Sequence, residues 1–366
     1  MAERIAPWPA AGPEALTAGR RAFPPYPSGV TYLLTGATGF LGGVLAGQLV
    51  ERGHVVRAIV RAPAKAEALR ALGVQLVAGD VTDAASLRDP MRGTDGVFHV
   101  AGWYKIGLRD SSPAHAVNVE GTRNVLGLMR ELRIGKGVYT STLAVNSDTR
   151  GQLVDETYRF NGRHLSVYDR TKAEAHGIAD DFIREGLPLV IVQPGLIYGP
   201  GDTSGVRTML LQFLQRKLPA VPRQTALAWA HVEDVARGHV LAMERGVPGR
   251  TYFLAGPVHT LEGALDLAAE ITGVAAPRLK LPPRVLRVAS IVVRPFERLA
   301  PLPSAFTSEG LRTIAGVTYI GSSARAQREL DWQPRPLRVG LTETLRHEMA
   351  LLNQSGRSGP VRVPGD

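Results

Sequence analysis

The chain has no cysteine among its 366 residues. Disulfides, thiolate metal ligands and a cysteine nucleophile are therefore excluded. The absence suits a reducing compartment, and a cytoplasmic location is expected. No apolar stretch approaches the ~18 uninterrupted residues of a membrane span. Residues 1–28 are rich in proline and alanine and lack the continuous apolar core of a signal peptide, so they read as a disordered or loosely docked extension. Basic residues never run beyond two in a row, although the formal net charge is +10. A basic balance without a basic cluster gives no nucleic-acid signature. The nine histidines are scattered without close spacing, so no metal is expected. There are no internal repeats.

What is present is a 44% hydrophobic chain, ample for one large domain and a smaller one. Short β-branched runs at Val30–Leu34, Val55–Val60, Val74–Val77, Gly96–Val100, Val138–Thr142 and Leu189–Val192 predict strands. Several are apolar on both faces, as buried parallel strands are. Between them, Phe40–Arg52, Ala64–Leu72, Ala84–Met91, Pro113–Arg133 and Tyr168–Glu185 predict helices. The alternation predicts an α/β fold, a doubly wound parallel sheet of Rossmann type over residues 29–193. After Pro194 the rhythm breaks at the turn-rich QPGLIYGPGD. Short strands at Ala226–Ala230 and Arg250–Leu254 and further helix predict a mixed α/β substrate lobe over 194–352. A flexible tail, 353–366, completes the expected organisation.

The first strand runs into TGATGFLG, residues 35–42. Gly36 permits a tight turn, Gly39 lets a pyrophosphate approach the backbone, and Gly42 lets the helix pack close to the sheet. Thr38, Phe40 and Leu41 are carried in the same loop, which predicts a dinucleotide site. Such sites for NAD usually place an acidic residue ~20 residues on, at the end of strand two. This chain has Arg61 there, followed by Lys65. A guanidinium in place of a carboxylate suits a 2′-phosphate and favours NADP(H); NAD(H) remains possible, since a solvated strand end would carry the same arginine. In GDVTD, Asp80 is placed to bond the adenine amino group and Val81 to lie against the ring, although a turn aspartate fits nearly as well. Val100, Ala101 and Gly102 in HVAG let the backbone lie against the cofactor.

In VYDRTK, Tyr168 and Lys172 are one helical turn apart and share a face. Thr142, in YTSTLAV, is expected at a strand end facing the ligand crevice. Together they predict an acid–base unit for hydride transfer. Tyr168 would exchange the proton, Lys172 would lower the tyrosine pKa and hold the nicotinamide ribose, and Thr142 would position the substrate oxygen.

With TGATGFLG, GDVTD, FHVAG, VNVEGTRNV, YTST, YDRTK, QPGLIYGPGD and HVEDVA in that order, the chain resembles the extended short-chain dehydrogenase/reductases over about residues 30–350. Within them it looks most like the dihydroflavonol-reductase-like branch and the bacterial hopanoid-associated sugar epimerases. The resemblance implies catalytic roles for Thr142, Tyr168 and Lys172, with Ser141 as a fallback hydroxyl that would face substrate. It places Asn118 near the site, and Pro194 and Gly195 in the nicotinamide-side loop. Threonine stands where serine is commoner, and Gln193 where an arginine often precedes the proline. The resemblance also implies a homodimer through helices 114–133 and 168–186.

The residues leave the reaction open. An NADP(H)-dependent reductase of a carbonyl, or oxidant of a secondary alcohol, is favoured by Arg61. A nucleotide-sugar epimerase/dehydratase that retains its cofactor shares the machinery, and a non-catalytic NADP sensor is a third class. Trp103 and Tyr104 could line an apolar substrate pocket or simply pack under the lobe. His231 and Asp234 read as a bonding pair internal to the lobe. Segment 281–303 mixes apolar residues with arginines, which suits either an ordinary lobe helix or a peripheral membrane contact.

Overall fold

The computed structural model describes residues 29–107, 110–298 and 302–354. The expected extension 1–28 and all but the first two residues of the expected tail lie outside them. Seven parallel strands form the central sheet: β1 (Thr31–Thr35), β2 (Val55–Val60), β3 (Gln75–Ala78), β4 (Gly96–His99), β5 (Lys136–Thr140), β6 (Leu189–Pro194) and, from much later in the chain, β10 (Thr251–Leu254). Their order is β10-β6-β5-β4-β1-β2-β3. The direction of winding reverses between β1 and β4, so a crevice opens beyond their carboxyl ends. Thr35 ties those ends together. Its Oγ1 lies 2.8 Å from His99 Nδ1 and accepts from the amides of Val100 and Ala101, each at 3.2 Å.

Helices cover both faces because the strands are apolar on both faces. One layer holds α1 (Phe40–Glu51) and α8 (Val232–Arg245), with Leu45, Leu49, Val235 and Val240 packed onto Leu34 and Val192. The other holds α3 (Ala84–Met91), α5 (Gly121–Glu131) and α6 (Val167–Arg184), packed over Leu33, Val97 and Ile191. Between β2 and β3 the expected helix 64–72 is a 3₁₀ turn at Pro63–Lys65 followed by the short α2 (Glu67–Ala71). The expected helix 113–133 is also broken. A turn, α4 (Ser112–His115), leads into a π-helical stretch, Ala116–Glu120, before α5.

The expected lobe 194–352 is interleaved with this sheet. The chain leaves at β7 (Leu196–Tyr198), forms α7 (Gly205–Leu214), β8 (Val221–Pro222) and β9 (Ala226–His231), then returns through α8 and β10. It leaves again through β11 (Val258–Thr260), α9 (Leu261–Thr272), β12 (Lys280–Leu281), α10 (Pro283–Val293), α11 (Ser308–Thr313) and β13 (Thr318–Tyr319). It ends with α12 (Ala324–Leu330) and α13 (Leu337–Gln354). In the second sheet β11 and β13 flank β9, and β7 also pairs with β9. Its core joins Tyr198, Trp229, Leu265 and Leu345.

Candidate active site

The glycine loop is folded tightly around Gly36. Gly36 has φ +75°, and a Cβ there would come within 2.7 Å of the Ala101 amide nitrogen. Only glycine brings the first loop this close to the end of β4. A Cβ on Gly42 would sit 2.1 Å from the Gly36 carbonyl oxygen. Gly39 caps α1 without a side-chain bond, and Thr38 and Gly39 are exposed while Leu41 is buried and Phe40 partly so. The first turn of α1 therefore presents uncapped amides over an open, side-chain-free cradle, which fits a pyrophosphate. Arg61 and Lys65 stand exposed just past β2, and among the described residues neither has an ion pair or side-chain hydrogen bond. Asp80 Oδ1 accepts from both the amide and the hydroxyl of Thr82 at 2.9 Å, as a turn aspartate does. The Val81 side chain belongs to the core and would touch a Cβ on Gly121.

The positions of the Tyr168 and Lys172 side chains are set by the start of α6. Ser166 caps it, its Oγ accepting from the Asp169 amide at 3.0 Å. Glu309, from α11, accepts from the Val167 amide and, at 2.9 Å, from the Gly107 amide. Tyr319, from β13, donates its hydroxyl to Asp169 Oδ2 at 3.0 Å. The second sheet thus holds the first turn of α6 in place. Sequence reasoning missed Glu309, Tyr319 and Asp169. Only the N-cap pattern of Ser166 three residues before Asp169 was a local signal.

The Tyr168 side chain meets that of Thr142, and Lys172 lies one turn further along α6. β5 ends at Thr140, two residues earlier than expected, and Thr142 begins a 3₁₀ turn, Leu143–Asn146. Burial pushes the Tyr168 phenol up to about 12, and its interaction with the Thr142 hydroxyl partly offsets this. This corrects the expectation that Lys172 lowers it. The Lys172 ammonium is directed elsewhere, donating to the Thr140 carbonyl at 2.7 Å and to the Tyr139 hydroxyl at 3.1 Å. It also lies 4.7 Å over the Tyr139 ring. Lys172 is only 4% exposed, and desolvation pulls its pKa down to about 7. His99, stacked on Tyr139, is held neutral: burial first, then the Lys172 charge, lowers it to about 3.

Asn118 is a positioning residue. From the π-helical stretch its side chain accepts from the Trp103 amide at 2.7 Å, and donates to the Trp103 carbonyl at 3.0 Å and to Thr171 Oγ1 at 2.9 Å. It clamps the loop after β4 to α6. A Cβ on Gly102 would lie 3.5 Å from Asn118 Oδ1 and 4.0 Å from Lys172 Nζ, so Gly102 keeps that space open. Ser141 does not share the site with Thr142. It is buried, with its Oγ 2.8 Å from His176 Nδ1. Gln193 donates to the Thr142 carbonyl at 3.0 Å. Pro194 closes β6, and Gly195 is glycine for a different reason than expected: a Cβ there would be 2.2 Å from the Ala228 carbonyl oxygen of β9.

A cleft of about 680 Å³ is lined by Arg163, Ser166, Val167, Arg170, Glu297, Leu302, Thr307 and Arg312, among others; Thr142, Tyr168 and Lys172 are not in its lining. Trp103 and Tyr104 are not in its wall. Trp103 is half-buried under Lys105, and the Tyr104 hydroxyl meets Thr203 at 3.1 Å. The expected His231–Asp234 pair does not form. Arg335 takes the Asp234 carboxylate (3.0 Å), and the two ring nitrogens of His231 have no hydrogen-bond partner among the described residues. The fold does gather ligand-type atoms of His231, Glu233 and Glu343 within 4.8 Å, which spacing in sequence could not reveal. Arg335 lies 2.8 Å from Glu233 and 2.6 Å from Glu343 and supplies the positive charge there.

Residues 32–255 match the model of the NAD dependent epimerase/dehydratase family. The chain belongs to that family. It is an NAD(P)-binding oxidoreductase-type enzyme of the extended short-chain dehydrogenase/reductase group. A dihydroflavonol 4-reductase-like protein of Synechocystis sp. is 33% identical over 326 residues, 86% of this chain and 93% of the relative. The sterol demethylase protein B of Methylococcus capsulatus is 32% identical over 323 residues, 86% of this chain and 97% of the relative. Among solved structures, gox2253 is 33% identical, with a TM-score of 0.78 over 90% of this chain and 99% of its own. The UDP-glucose 4-epimerase of Thermotoga maritima, with a TM-score of 0.71 over 88% of this chain and 100% of its own, is 21% identical and shares the fold. No helix among the described residues is long and apolar enough to cross a membrane.

Proposed function

We propose that the chain is an NADP(H)-dependent reductase of a carbonyl group, working through Thr142, Tyr168 and Lys172. The observation that carries this reading is the pair Arg61 and Lys65, exposed and without ion pairs where an NAD site would present a carboxylate. A 2′-phosphate would meet two free cations there, and charge-assisted bonds to it would be worth ~1.5–3 kcal/mol. Relatives named as reductases and dehydrogenases support the same direction.

A reduced nicotinamide, held at the glycine loop when bound, would supply the hydride. Tyr168 gives its phenolic proton to the substrate oxygen as that oxygen becomes an alkoxide, and the Thr142 hydroxyl holds the oxygen in line. The pKa of about 12 suits a proton donor in its neutral form before reaction. Lys172 sits one turn on, and its ammonium, held by the Thr140 carbonyl and the Tyr139 hydroxyl, would bond the nicotinamide ribose. Asn118 keeps α6 and the loop after β4 at fixed separation, so that these groups converge.

The test is titration of both reduced cofactors into wild type and into Arg61→Ala/Lys65→Ala at fixed salt. NADPH should bind wild type at least ten-fold tighter than NADH, and the double substitution should remove that preference while leaving NADH binding nearly unchanged. Equal binding of the two cofactors by wild type would end the phosphate reading. Tightly retained oxidised NAD in the purified protein would instead favour epimerase chemistry.

A further inference from the structure

Helix α10 has two apolar faces where a lobe helix needs one. Inward, Leu286 and Ser290 are each 4% exposed, and Ala289 and Val293 pack beside Leu286, Leu311 and Ala315. Outward, Val285, Val288, Ile291 and Val292 are exposed by 50, 60, 71 and 56%. At 3.6 residues per turn these four fall in an arc of roughly 120°, opposite the buried side. Phe296, just beyond the helix, is also exposed. Apolar side chains contiguous on one face mark an interaction surface.

The charge around the stripe says which kind. Arg284, Arg287 and Arg294 are all exposed, and among the described residues none has an ion pair. By the same helical arithmetic Arg287 and Arg294 line one edge of the stripe, and Arg284 sits at its amino-terminal end. The nearest carboxylate in the sequence, Glu297, is turned inward onto the amide and, at 3.1 Å, the hydroxyl of Ser308. A second copy of the chain is a poor occupant. A twofold contact through this face would bring two sets of unpaired arginines together. An anionic lipid surface answers both features: the side chains enter the acyl boundary, and the guanidinium groups reach lipid phosphates on their long stems.

We infer that α10 docks the protein on an anionic phospholipid bilayer, and that the substrate enters the cleft from that surface. Glu297 and Leu302, which follow α10 in the chain, line the same cleft as Ser166 and Val167. The chain that leaves the carboxyl end of α10 thus contributes to the cleft wall. The second half of the inference rests on the proposed reductase function and names its substrate class: an apolar molecule, dissolved in the bilayer, that bears a carbonyl or secondary alcohol.

Docking is tested without turnover, so it stands apart from the reductase assignment. The full chain is sedimented with vesicles of phosphatidylglycerol and phosphatidylcholine, about 3:7, and with pure phosphatidylcholine. Wild type should bind the anionic vesicles, release as salt rises, and bind the neutral ones weakly. Arg287→Gln/Arg294→Gln should lower partitioning roughly 25-fold, about five-fold for each charge. Val288→Glu/Ile291→Glu should abolish it with the thermal unfolding curve unchanged; Ile291→Ser probes the same face if that pair fails to fold. Failure of wild type to bind anionic vesicles would overturn the inference, as would wild-type binding by the glutamate variant. So would a wild-type dimer that the glutamate variant turns into monomers, with no vesicle binding by either.

Discussion

Lys172→Met offers a quantitative test of the site because the lysine is buried and titrates far from its ordinary range. Methionine keeps an unbranched apolar stem and removes the ammonium. In the folded protein the lysine pKa falls from 10.5 to about 7, by desolvation. Between those two values the unfolded chain holds a proton that the folded chain lacks. Wild-type stability must then rise with pH across this window, by about 1.4 kcal/mol per unit for one proton. Below pH 7 both states are protonated, and the full desolvation cost is present. The variant has no such proton, so the wild-type-minus-variant difference should be flat below pH 7 and climb above it. Between pH 7.5 and 9.5 it should grow by roughly 3 kcal/mol in favour of wild type. Loss of the bonds to Thr140 and Tyr139 adds a constant offset of about 1–3 kcal/mol against the variant, but no slope. Urea unfolding at four pH values measures both, and without cysteine the alkaline points are free of thiol chemistry. A difference that does not change with pH would show that the ammonium is hydrated in the folded protein, and would refute this reasoning.

Other substitutions test the remaining parts. Tyr168→Phe should reduce turnover ~10²–10⁴-fold while cofactor affinity stays within a few-fold, read by saturation kinetics and titration; more than half of wild-type turnover would remove Tyr168 from the mechanism. Gly36→Ala should cost roughly 2–4 kcal/mol in urea unfolding, because the new methyl group meets Ala101 and the backbone has φ +75°. Asp169 is raised from 3.8 to about 6, chiefly by burial, so its stabilising contribution is present below pH 3.8 and lost as pH rises through 6. Asp169→Asn should therefore gain roughly 1–3 kcal/mol at pH 7.5 and almost nothing at pH 4, measured by thermal unfolding at both.

Local pattern made the central sheet and the glycine loop legible. Strands such as LVIVQP are apolar at nearly every position, and the requirement for glycine at 36 is a property of one turn. Tyr168 and Lys172 were legible because a helix fixes the spacing of its own face. What stayed hidden depends on distant partners. Glu309 reaches Val167 across 142 positions of sequence, and Tyr319 reaches Asp169 across 150. No local period encodes either contact. Ser141 and Thr142 look equivalent as adjacent hydroxyls, but only the fold shows that His176 takes the first. The direction of the Lys172 ammonium was misjudged for the same reason: its partners, Thr140 and Tyr139, belong to a strand rather than to its own helix.

The late return of β10 to the central sheet bears on how the protein is made. On a ribosome, β6 emerges long before β10, with more than fifty residues of the second sheet still to be synthesised between them. All six residues of β6 are buried in the finished molecule, and among the described residues its outer edge is paired only by β10. Until Thr251–Leu254 arrives, a nascent chain carries an apolar strand with an open row of amides and carbonyls, the arrangement most prone to capture a neighbouring chain. A gene fragment stopped at residue 193 should reproduce that state permanently and collect in inclusion bodies. One that continues through residue 254 closes the edge. The smallest heritable unit of this cofactor site is therefore longer than its own binding motifs, and shuffling it between genes at the QPG turn should fail.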